Sequence, residues 1–531
     1  MANHSDSITR RQVLTGLGGA ALGSALSPAF LSAETSAANE TSASAPAIKS
    51  GKRGSSSDRP NILWITGEGI PLKVLGCYGS TLIETPHIDR IAKEGMRFEN
   101  SFCTNALCAP SRATLLTGTY SNVNGQLSNF DTGPDGQPSF AASQETMAKV
   151  FQRNGYQTGM VGKWHLPANP GETGFDYFVF KRGAGGPYYN PNGYLRNTSL
   201  GSTVIHEESY PGYMTDNFTD FAIEGIKQFK QPFFMMMQFF NDHRPFDPPH
   251  KYEHLYDGKR IPEPGTFYDD YSMRAAPAKE ARMRIAYMPD FNPPADLTER
   301  QRQQWNYQKF MAHFLEVLRS QDDNVGRLLN YLDESGLAEN TIVIYTADHG
   351  FFMGDHGWFD KRFMYEQAIR VPWMIRYPGH IKPGSVSTDW VVNIDNAPTA
   401  LDLAGLPIPE SMQGRSLLPL FQGSAPADWQ KSFYYHYYEF YDSEHWVLPH
   451  YGIRTDRYKL ISYYTVNEWE LFDLEKDPDE MENLFKWAGY EVHPDYKAVA
   501  DDLVEQLKAL RSKYKDTTGR PVRLWPTDSY N

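Results

Sequence analysis

Residues 341–350 have the sequence TIVIYTADHG, and this stretch decides the fold of the chain. Its first six residues form a short run of apolar and β-branched side chains, which is typical of a strand buried on both faces of a parallel sheet. Asp348 and His349 follow directly after the run. Because open α/β sheets bind ligands beyond the carboxyl ends of their strands, the stretch predicts a parallel strand with a functional site at its end.

Three more runs of the same kind occur in the chain: residues 61–66 (NILWIT), 157–161 (QTGMV) and 233–240 (FFMMMQFF). Polar residues follow each run, in order Glu68, then Lys163 with His165, then Asp242 with His243. Such strand ends deliver acids, histidines and a lysine to one rim of a sheet. This convergence predicts an enzyme, because these residue types in one cleft supply acid–base and metal chemistry.

Helical patterns separate the strand-like runs. Residues 85–95 begin with Thr-Pro and end with Gly, which are helix start and stop signals. Residues 145–155 and 306–335 also show helical spacing. Strands that alternate with helices predict an α/β sandwich built on a large, mostly parallel sheet.

The chain changes character near residue 425. Aromatic or alternating segments and one amphipathic helix follow, at residues 433–441 (FYYHYYEFY), 458–464, 469–473 and about 498–513. We therefore predict a catalytic domain at residues 58–425. A smaller C-terminal α+β domain with an antiparallel sheet is predicted at residues 426–531.

The composition excludes several classes of protein. Of the 531 residues 40% are apolar and 14% aromatic, so a sizeable core is available and global disorder is excluded. Lys and Arg number 51 against 64 Asp and Glu, and the net charge of −13 argues against a nucleic-acid-binding surface. Three cysteines, Cys77, Cys103 and Cys108, cannot form a disulfide framework or a four-cysteine zinc site, and at most one pair can form.

The first 37 residues have the pattern of a twin-arginine export signal. Arg10 and Arg11 precede a Gly- and Ala-rich, mildly apolar stretch that is too short to span a bilayer. Residues 38–57 are rich in Ser, Ala and Lys and are interpreted as a flexible linker. The sequence therefore predicts an exported protein, periplasmic or extracellular, without an integral membrane segment.

Residues 107–118, LCAPSRATLLTG, form the most specific string in the chain. Cys108 precedes Pro110 at the start of a predicted helix, where N–H groups favour an anion, and Arg112 adds a positive charge. By spacing alone, a lone cysteine is more often a buried apolar residue. The string, however, resembles the signature of type I sulfatases, C-x-P-S-R followed by a Thr-Gly turn.

Further strings of the same family stand in order along the chain. They are residues 162–165 (GKWH), 346–350 (TADHG), 354–357 (GDHG) with Lys361 after it, 458–460 (YKL) and 473–478 (DLEKDP). The resemblance covers roughly residues 58–515, and so many ordered matches are rarely accidental. It implies an alkaline phosphatase-like sandwich fold and the hydrolysis of sulfate esters.

The resemblance also implies a role for each matching residue. Cys108 would be converted to formylglycine by a formylglycine-generating maturation enzyme, and one hydroxyl of its hydrate would attack sulfur. A divalent cation, Ca²⁺ with Mg²⁺ as the alternative, would be held by Glu68, Asp348 and His349 and would polarise the sulfate.

Cations and histidines complete the implied site. Arg112, Lys163 and Lys361 would hold the anionic ester and spread the charge that develops on it. His243 would protonate the leaving alcohol, and His165 would help to remove the proton of the second hydroxyl, which expels sulfate. Without this context, histidines after strands are more often satisfied by hydrogen bonds, and lysines are more often solvated.

The chain departs from the family pattern after its first strand. Sulfatases of this kind carry two adjacent acids there, whereas this chain has Glu68 followed by Gly69. One carboxylate ligand is lost, so we expect weaker metal binding, and Gly69→Asp should strengthen it unless Gly69 has a left-handed backbone. Asp355 and His356 are expected to structure their loop, and Tyr365 and Glu366 are expected to be structural.

The aromatic C-terminal strings resemble carbohydrate sulfatases, including those that act on N-acetylglucosamine 6-sulfate. They are residues 434–439 (YYHYYE) and 450–454 (HYGIR). Aromatic faces suit sugar rings, but an aromatic strand packed in a core has the same pattern. We predict a sulfated polysaccharide or its oligosaccharides as substrate. The alternatives are a phosphonate or phosphate ester hydrolase of the same superfamily and a catalytically silent sulfoglycan-binding protein.

Overall fold

Strands and helices alternate along most of the chain, as the sequence predicts. The computed structural model describes residues 59–522 apart from residues 134–135, 137–138, 184, 231, 241–242, 424, 440–444 and 487–490. The predicted export signal, the predicted linker and Asp242 therefore lie outside the described residues.

The strands are, in chain order, β1 (Asn61–Gly67), β2 (Met96–Phe102), β3 (Gln157–Lys163), β4 (Tyr177–Lys181), β5 (Tyr194–Asn197), β6 (Ile205–Glu208), β7 (Phe233–Gln238), β8 (Thr341–Ala347), β9 (Phe352–Met353), β10 (Phe359–Asp360), β11 (Trp373–Arg376), β12 (Ser385–Val392), β13 (Ser432–Tyr437), β14 (His450–Thr455), β15 (Tyr458–Tyr463), β16 (Glu468–Asp473), β17 (Phe485–Lys486) and β18 (Glu491–Val492). The helices are α1 (Pro86–Lys93), α2 (Cys108–Thr117), α3 (Ser121–Asn124), α4 (Met147–Arg153), α5 (Met214–Gln228), α6 (Ala276–Glu280), α7 (Glu299–Glu334), α8 (Glu366–Ile369), α9 (Asn396–Leu403), α10 (Leu418–Phe421) and α11 (Lys497–Lys513).

The largest sheet has ten strands in the order β12-β2-β11-β8-β1-β7-β3-β4-β5-β6. All of them run in one direction except β5 and β11, which pair antiparallel with their neighbours. The four runs recognised in the sequence are the adjacent strands β8, β1, β7 and β3. In register, Thr66 lies beside both Thr346 and Gln238, so the carboxyl ends of these strands meet at one edge. The predicted α/β sandwich with a mostly parallel sheet is confirmed.

Two hydrophobic layers cover the sheet and explain why its central strands are apolar throughout. Leu63 and Ile65 of β1 point into one layer with α7, whereas Ile62 and Trp64 point into the other layer with α2. Successive side chains of a strand face opposite sides, so a strand covered on both sides must be apolar at every position.

Two predicted boundaries differ from the structure. The run at residues 233–240 forms a strand only as far as Gln238, and the Phe239 N–H makes the last ladder bond, to the carbonyl of Thr66 (2.9 Å). Helix α7 begins at Glu299 rather than at residue 306. Thr298 and Gln301 form a capping box that satisfies the first N–H groups of the helix, and this signal starts the helix earlier.

The C-terminal region contains the predicted antiparallel sheet, in the order β13-β14-β15-β16, with α11 packed on it. Its aromatic residues belong to the core: the side chains of Tyr434, Tyr435 and Tyr437 are fully buried. The core interpretation of residues 434–437 therefore holds. The predicted division of the chain at residue 425 stays a prediction, since the described residues fall in one compact unit.

A buried ion network joins the C-terminal sheet to the rest of the molecule. Glu366 at the start of α8 pairs with Arg454 of β14 (3.1 Å) and with Lys459 of β15 (2.9 Å). Lys459 also contacts Glu480 at 2.5 Å, and the side chains of Lys459 and Glu480 are fully buried. Tyr365 donates to Glu470 of β16 (2.9 Å). These contacts agree with the structural role expected for Tyr365 and Glu366.

The part of the chain that the structure describes contains neither a membrane-spanning helix nor a disulfide bond. No helix there is both long and apolar enough to cross a membrane. The thiols of Cys77, Cys103 and Cys108 are all free.

Candidate active site

The ends of the central strands and the start of α2 build one buried cluster. Glu68 follows β1, Asp348 and His349 follow β8, and Cys108 is the first residue of α2. One donor atom from each of these four side chains lies within 4.8 Å of the others. The structure thus brings the predicted nucleophile and the three predicted metal ligands together.

Cys108 lies at the N-terminus of a helix that is buried along its whole length. Its Sγ is 3.0 Å from Glu68 Oε1 and 3.4 Å from His349 Nε2. The N-cap residue, Leu107, has no side chain that can accept from the helix. Asn129 takes this part instead, because its Oδ1 accepts the N–H of Ala109 (3.0 Å).

Arg112 lies one turn after Cys108 on the same helix and is bonded to the carboxylates. Its Nη2 donates to Glu68 Oε2 (2.7 Å), and its Nε donates to Asp348 Oδ2 (3.1 Å). Its Nη1 donates to the carbonyl of Lys163 (3.0 Å) and to Gln238 Oε1. Arg112 therefore positions the ligand carboxylates, and its hold on a sulfate ester stays a prediction.

Two buried lysines act on the cluster. Lys163 ends β3, and its Nζ is 2.7 Å from Glu68 Oε1. Lys361 lies near Asp360, with Nζ 3.6 Å from Oδ1. The residues on either side of Lys361, Asp360 and Arg362, have φ of 76° and 92°. Such a conformation costs non-glycine residues about 1–3 kcal/mol each and is concentrated at functional sites.

The electrostatics of the cluster favour negative charge at position 108. Burial and Glu68 would both raise the pKa of the Cys108 thiol, yet Lys163, Lys361 and a hydrogen bond with His165 hold that pKa well below its usual value. Burial would likewise raise the pKa of Glu68, and Lys163 and Arg112 hold it well below its usual range. The site therefore suits a nucleophile that carries negative charge.

The two predicted acid–base histidines lie at the same cluster. His165 has φ of 56° and interacts with the side chain of Cys108. His243 is half-buried, and its Nδ1–H donates to the carbonyl of Arg244 (3.1 Å), which leaves Nε2 for another partner. Burial, Lys163 and Lys361 lower the pKa of His243 to about 3.

Two residues of the site were not expected from the sequence. Gln238 is the polar residue inside the run FFMMMQFF, and it accepts from Arg112 at the end of β7. A polar side chain inside an apolar run was the signal that could have found it. Asn129 caps α2 from a distant loop, and no local pattern reveals this contact.

Asp355 and His356 lie outside the cluster. Asp355 pairs with Lys73, and His356 Nδ1 is 3.0 Å from Asp269 Oδ2. Tyr271 donates to the carbonyl of His356 (2.5 Å). These contacts order their loop, as the sequence analysis expects.

The four clustered side chains fit a divalent cation. His349 Nδ1–H donates to the carbonyl of Gly350 (2.9 Å), so the lone pair of Nε2 faces the cluster. Two carboxylates with an imidazole give mainly oxygen donors, which suit Ca²⁺ or Mg²⁺. The other group of this kind among the described residues is His87, Asp322 and Asp323. There, Asp323 already pairs with Lys251 (3.0 Å), and Asp322 caps α1 by accepting the N–H of Ile88 (2.8 Å).

Gly69 has a left-handed backbone, with φ of 64°. A Cβ added there would lie 3.0 Å from Phe351 Cδ2 and 3.3 Å from His349 Cε1. Gly69→Asp is expected to strengthen metal binding only if Gly69 does not have a left-handed backbone, and this condition is not met. The N–H of Gly69 donates to Asp348 Oδ1 (3.0 Å), so glycine supports this carboxylate through its backbone.

Comparison with known proteins identifies the family. The family model described as sulfatase matches residues 60–406. The chain belongs to the sulfatase family. A second model, described as the C-terminal part of N-sulphoglucosamine sulphohydrolase, matches residues 354–513. Membership of this family confirms the predicted activity, the hydrolysis of sulfate esters. Members of the family generally use formylglycine and a divalent metal.

Two proteins similar to this sulfatase are named or described with a sulfated amino sugar. It is 38% identical to an N-acetylglucosamine-6-O-sulfatase of Bacteroides thetaiotaomicron, over 86% of this chain and 87% of that protein. A solved structure described as a complex with its substrate D-glucosamine-2-N,6-O-disulfate is 37% identical, with a TM-score of 0.79 over 87% of this chain and 99% of that one. A phosphonate monoester hydrolase of Agrobacterium radiobacter, at 21% identity and a TM-score of 0.66, shares the fold.

We expect Gly69→Asp to lower Tm without strengthening metal binding. The variant places an L side chain in the left-handed region, which costs roughly 1–2 kcal/mol, and pushes its Cβ against His349 and Phe351. Gly79→Asp is the matched control, because Gly79 has φ of 92° but nothing within 4 Å of an added Cβ. Thermal unfolding and metal content of both variants test this. Tighter metal binding by Gly69→Asp would contradict it.

Proposed function

We propose that this sulfatase removes sulfate from carbohydrates, with 6-sulfated glucosamine residues as the first substrates to test. The observation that carries the proposal is the buried cluster at Cys108, in which a helix N-terminus, two carboxylates and two lysines surround one side chain. The N-acetylglucosamine-6-O-sulfatase relative, similar over most of both chains, supports the sugar.

The proposed mechanism assigns each residue a task that its position supports. Glu68, Asp348 and His349 would hold a divalent cation, Ca²⁺ with Mg²⁺ as the alternative. When present, that cation supplies Lewis acidity, and formylglycine at position 108 supplies a hydrated aldehyde that takes up the sulfuryl group and later releases it. Lys163 and Lys361 bind the sulfate oxygens and stabilise the charge that develops on them.

His243 and His165 handle the protons. Nε2 of His243 is free to face the leaving oxygen, because Nδ1 is bonded to a backbone carbonyl. An anionic ester bound between the lysines offsets the charges that lower the pKa of His243, so substrate binding favours its protonated form. His165, beside the side chain of residue 108, accepts the proton whose removal expels sulfate.

Export and maturation complete the proposal. The twin-arginine pattern at Arg10 and Arg11 supports export to the periplasm or the cell exterior. The string at residues 107–118 supports recognition of Cys108 by a formylglycine-generating enzyme.

We expect Cys108→Ala to lower sulfate release from N-acetylglucosamine 6-sulfate by at least about 1,000-fold, because the covalent route is lost. Peptide mass spectrometry of the wild type, made with a maturation enzyme, should show conversion of Cys108 to the aldehyde. Cys77→Ala is the control, since Cys77 lies outside the cluster. Sulfate release by purified Cys108→Ala would refute the mechanism.

Faster turnover of an aryl phosphonate than of any sulfate would favour the phosphonate alternative, and binding without turnover would favour the silent binder.

His243→Ala should discriminate between leaving groups. A sugar alkoxide needs protonation whereas a nitrophenolate does not, so the loss should be about 100- to 10,000-fold on the sugar sulfate and much smaller on an aryl sulfate. His313→Ala serves as control, because His313 is bonded to the carbonyl of Phe246 (3.2 Å) away from the cluster. Equal losses on both substrates would remove His243 from the role of general acid.

Glu68→Ala should reduce the Ca²⁺ that remains bound after dialysis against chelator. The variant removes one of two anionic ligands of the cluster, and a cation is held largely by ligand charge. Metal content is measured by elemental analysis, independently of activity. Asp323→Ala, in the second group of possible ligands, should leave the metal content unchanged. Loss of metal in Asp323→Ala but not in Glu68→Ala would instead assign the metal to His87, Asp322 and Asp323.

A further inference from the structure

The segment that carries Lys361 has a backbone conformation that depends on outside support. Asp360 and Arg362, on either side of Lys361, both have positive φ, in the region that L side chains rarely adopt. Such backbone persists only where neighbouring groups hold it in place. The contacts made by Asp360 and Arg362 therefore decide where the buried ammonium group of Lys361 points.

Two side chains from the C-terminal part of the chain supply these contacts. His445 Nε2 lies 3.1 Å from Asp360 Oδ2. The hydroxyl of Tyr435, in β13, donates to the carbonyl of Arg362 (2.5 Å). The same hydroxyl accepts the N–H of Ala106 (3.1 Å), two residues before Cys108. The hydroxyl of the fully buried Tyr435 thus bridges residues 360–362, the lysine segment, and residues 106–108, the nucleophile segment.

We infer that Tyr435 is a positioning residue that sets the separation between Lys361 and the nucleophile at position 108. The bridge needs a group that donates and accepts at once, and a tyrosine hydroxyl does both. Phenylalanine fills the same space but leaves the carbonyl of Arg362 and the N–H of Ala106 without this partner. The inference rests on the proposed function, in which Lys361 holds the sulfate and residue 108 carries out the attack.

Tyr434, the neighbouring residue of β13, offers a matched comparison. Its side chain is also fully buried, and its hydroxyl also makes a strong hydrogen bond, to Asp516 Oδ2 (2.7 Å). Successive residues of a strand face opposite sides, so Tyr434 points away from the two active-site segments that Tyr435 joins. Loss of the hydroxyl at either position removes one oxygen from the core. Only the loss at Tyr435 removes a hydrogen bond to the segment that carries Lys361.

The test compares Tyr435→Phe with Tyr434→Phe in protein whose formylglycine content has been equalised by peptide mass spectrometry. Tyr435→Phe should lower kcat by up to about 100-fold, the scale of a 1 Å misplacement. The loss should be equal on a sugar sulfate and an aryl sulfate, because the sulfate and not the leaving group is misplaced. Inorganic sulfate should also inhibit Tyr435→Phe several-fold less well. Tyr434→Phe should change Tm by a similar amount and leave kcat and sulfate inhibition unchanged.

A double-mutant cycle with Lys361→Ala provides the second arm. If Tyr435 acts through Lys361, Tyr435→Phe should cost little in the Lys361→Ala background. Should Tyr435→Phe not fold, His445→Ala removes the other support of the same segment and should be coupled to Lys361→Ala in the same way. Additive losses, or equal kcat in the Tyr434 and Tyr435 variants, would overturn the inference. Failure of the proposed function would differ, because the wild type itself would then release no sulfate.

Discussion

The hydrogen bonds of the Arg112 guanidinium hold this site together. The guanidinium reaches the ends of all four central strands: Glu68 after β1, Asp348 after β8, the carbonyl of Lys163 in β3 and the amide of Gln238 in β7. The planar fork of arginine presents five donors in fixed directions, so a single side chain sets the relative positions of these groups. Cys108 begins the helix that carries Arg112, and the same bonds therefore position the proposed nucleophile.

Buried charge at this density is stable only because each ion has a partner. Glu68 is shared by Arg112 and Lys163, and Arg112 also binds Asp348. Removal of one member of a buried pair generally costs about 3–5 kcal/mol, which makes the set cooperative. The same lysines act on two groups, because Lys163 and Lys361 lower the pKa of Glu68 and also that of Cys108.

The C-terminal sheet is hydrogen-bonded to the residues around Cys108. The backbone N–H of His436 in β13 donates to the carbonyl of Thr104 (3.0 Å), just before the nucleophile segment. Glu439 accepts the N–H of Asn129 (3.3 Å), the residue that caps α2. The aromatic residues of β13 are core residues on both faces of the strand. Tyr435 bonds the backbone of Arg362 and Ala106, whereas Tyr434 bonds Asp516, so these buried rings offer no face to a sugar.

The central strands, the helix at Cys108 and the polar residues at each strand end could be predicted from the sequence, because apolar runs, helix signals and local motifs are short-range features. The sequence also placed an aromatic antiparallel sheet near the C-terminus. The three-dimensional structure was needed to show that Gln238 and Asn129 belong to the site, that Arg112 binds carboxylates, and that Gly69 has a left-handed backbone next to His349. Gln238 apart, which its position inside an apolar run could have revealed, these features depend on contacts between residues that are far apart in the chain, and a local pattern does not encode such contacts.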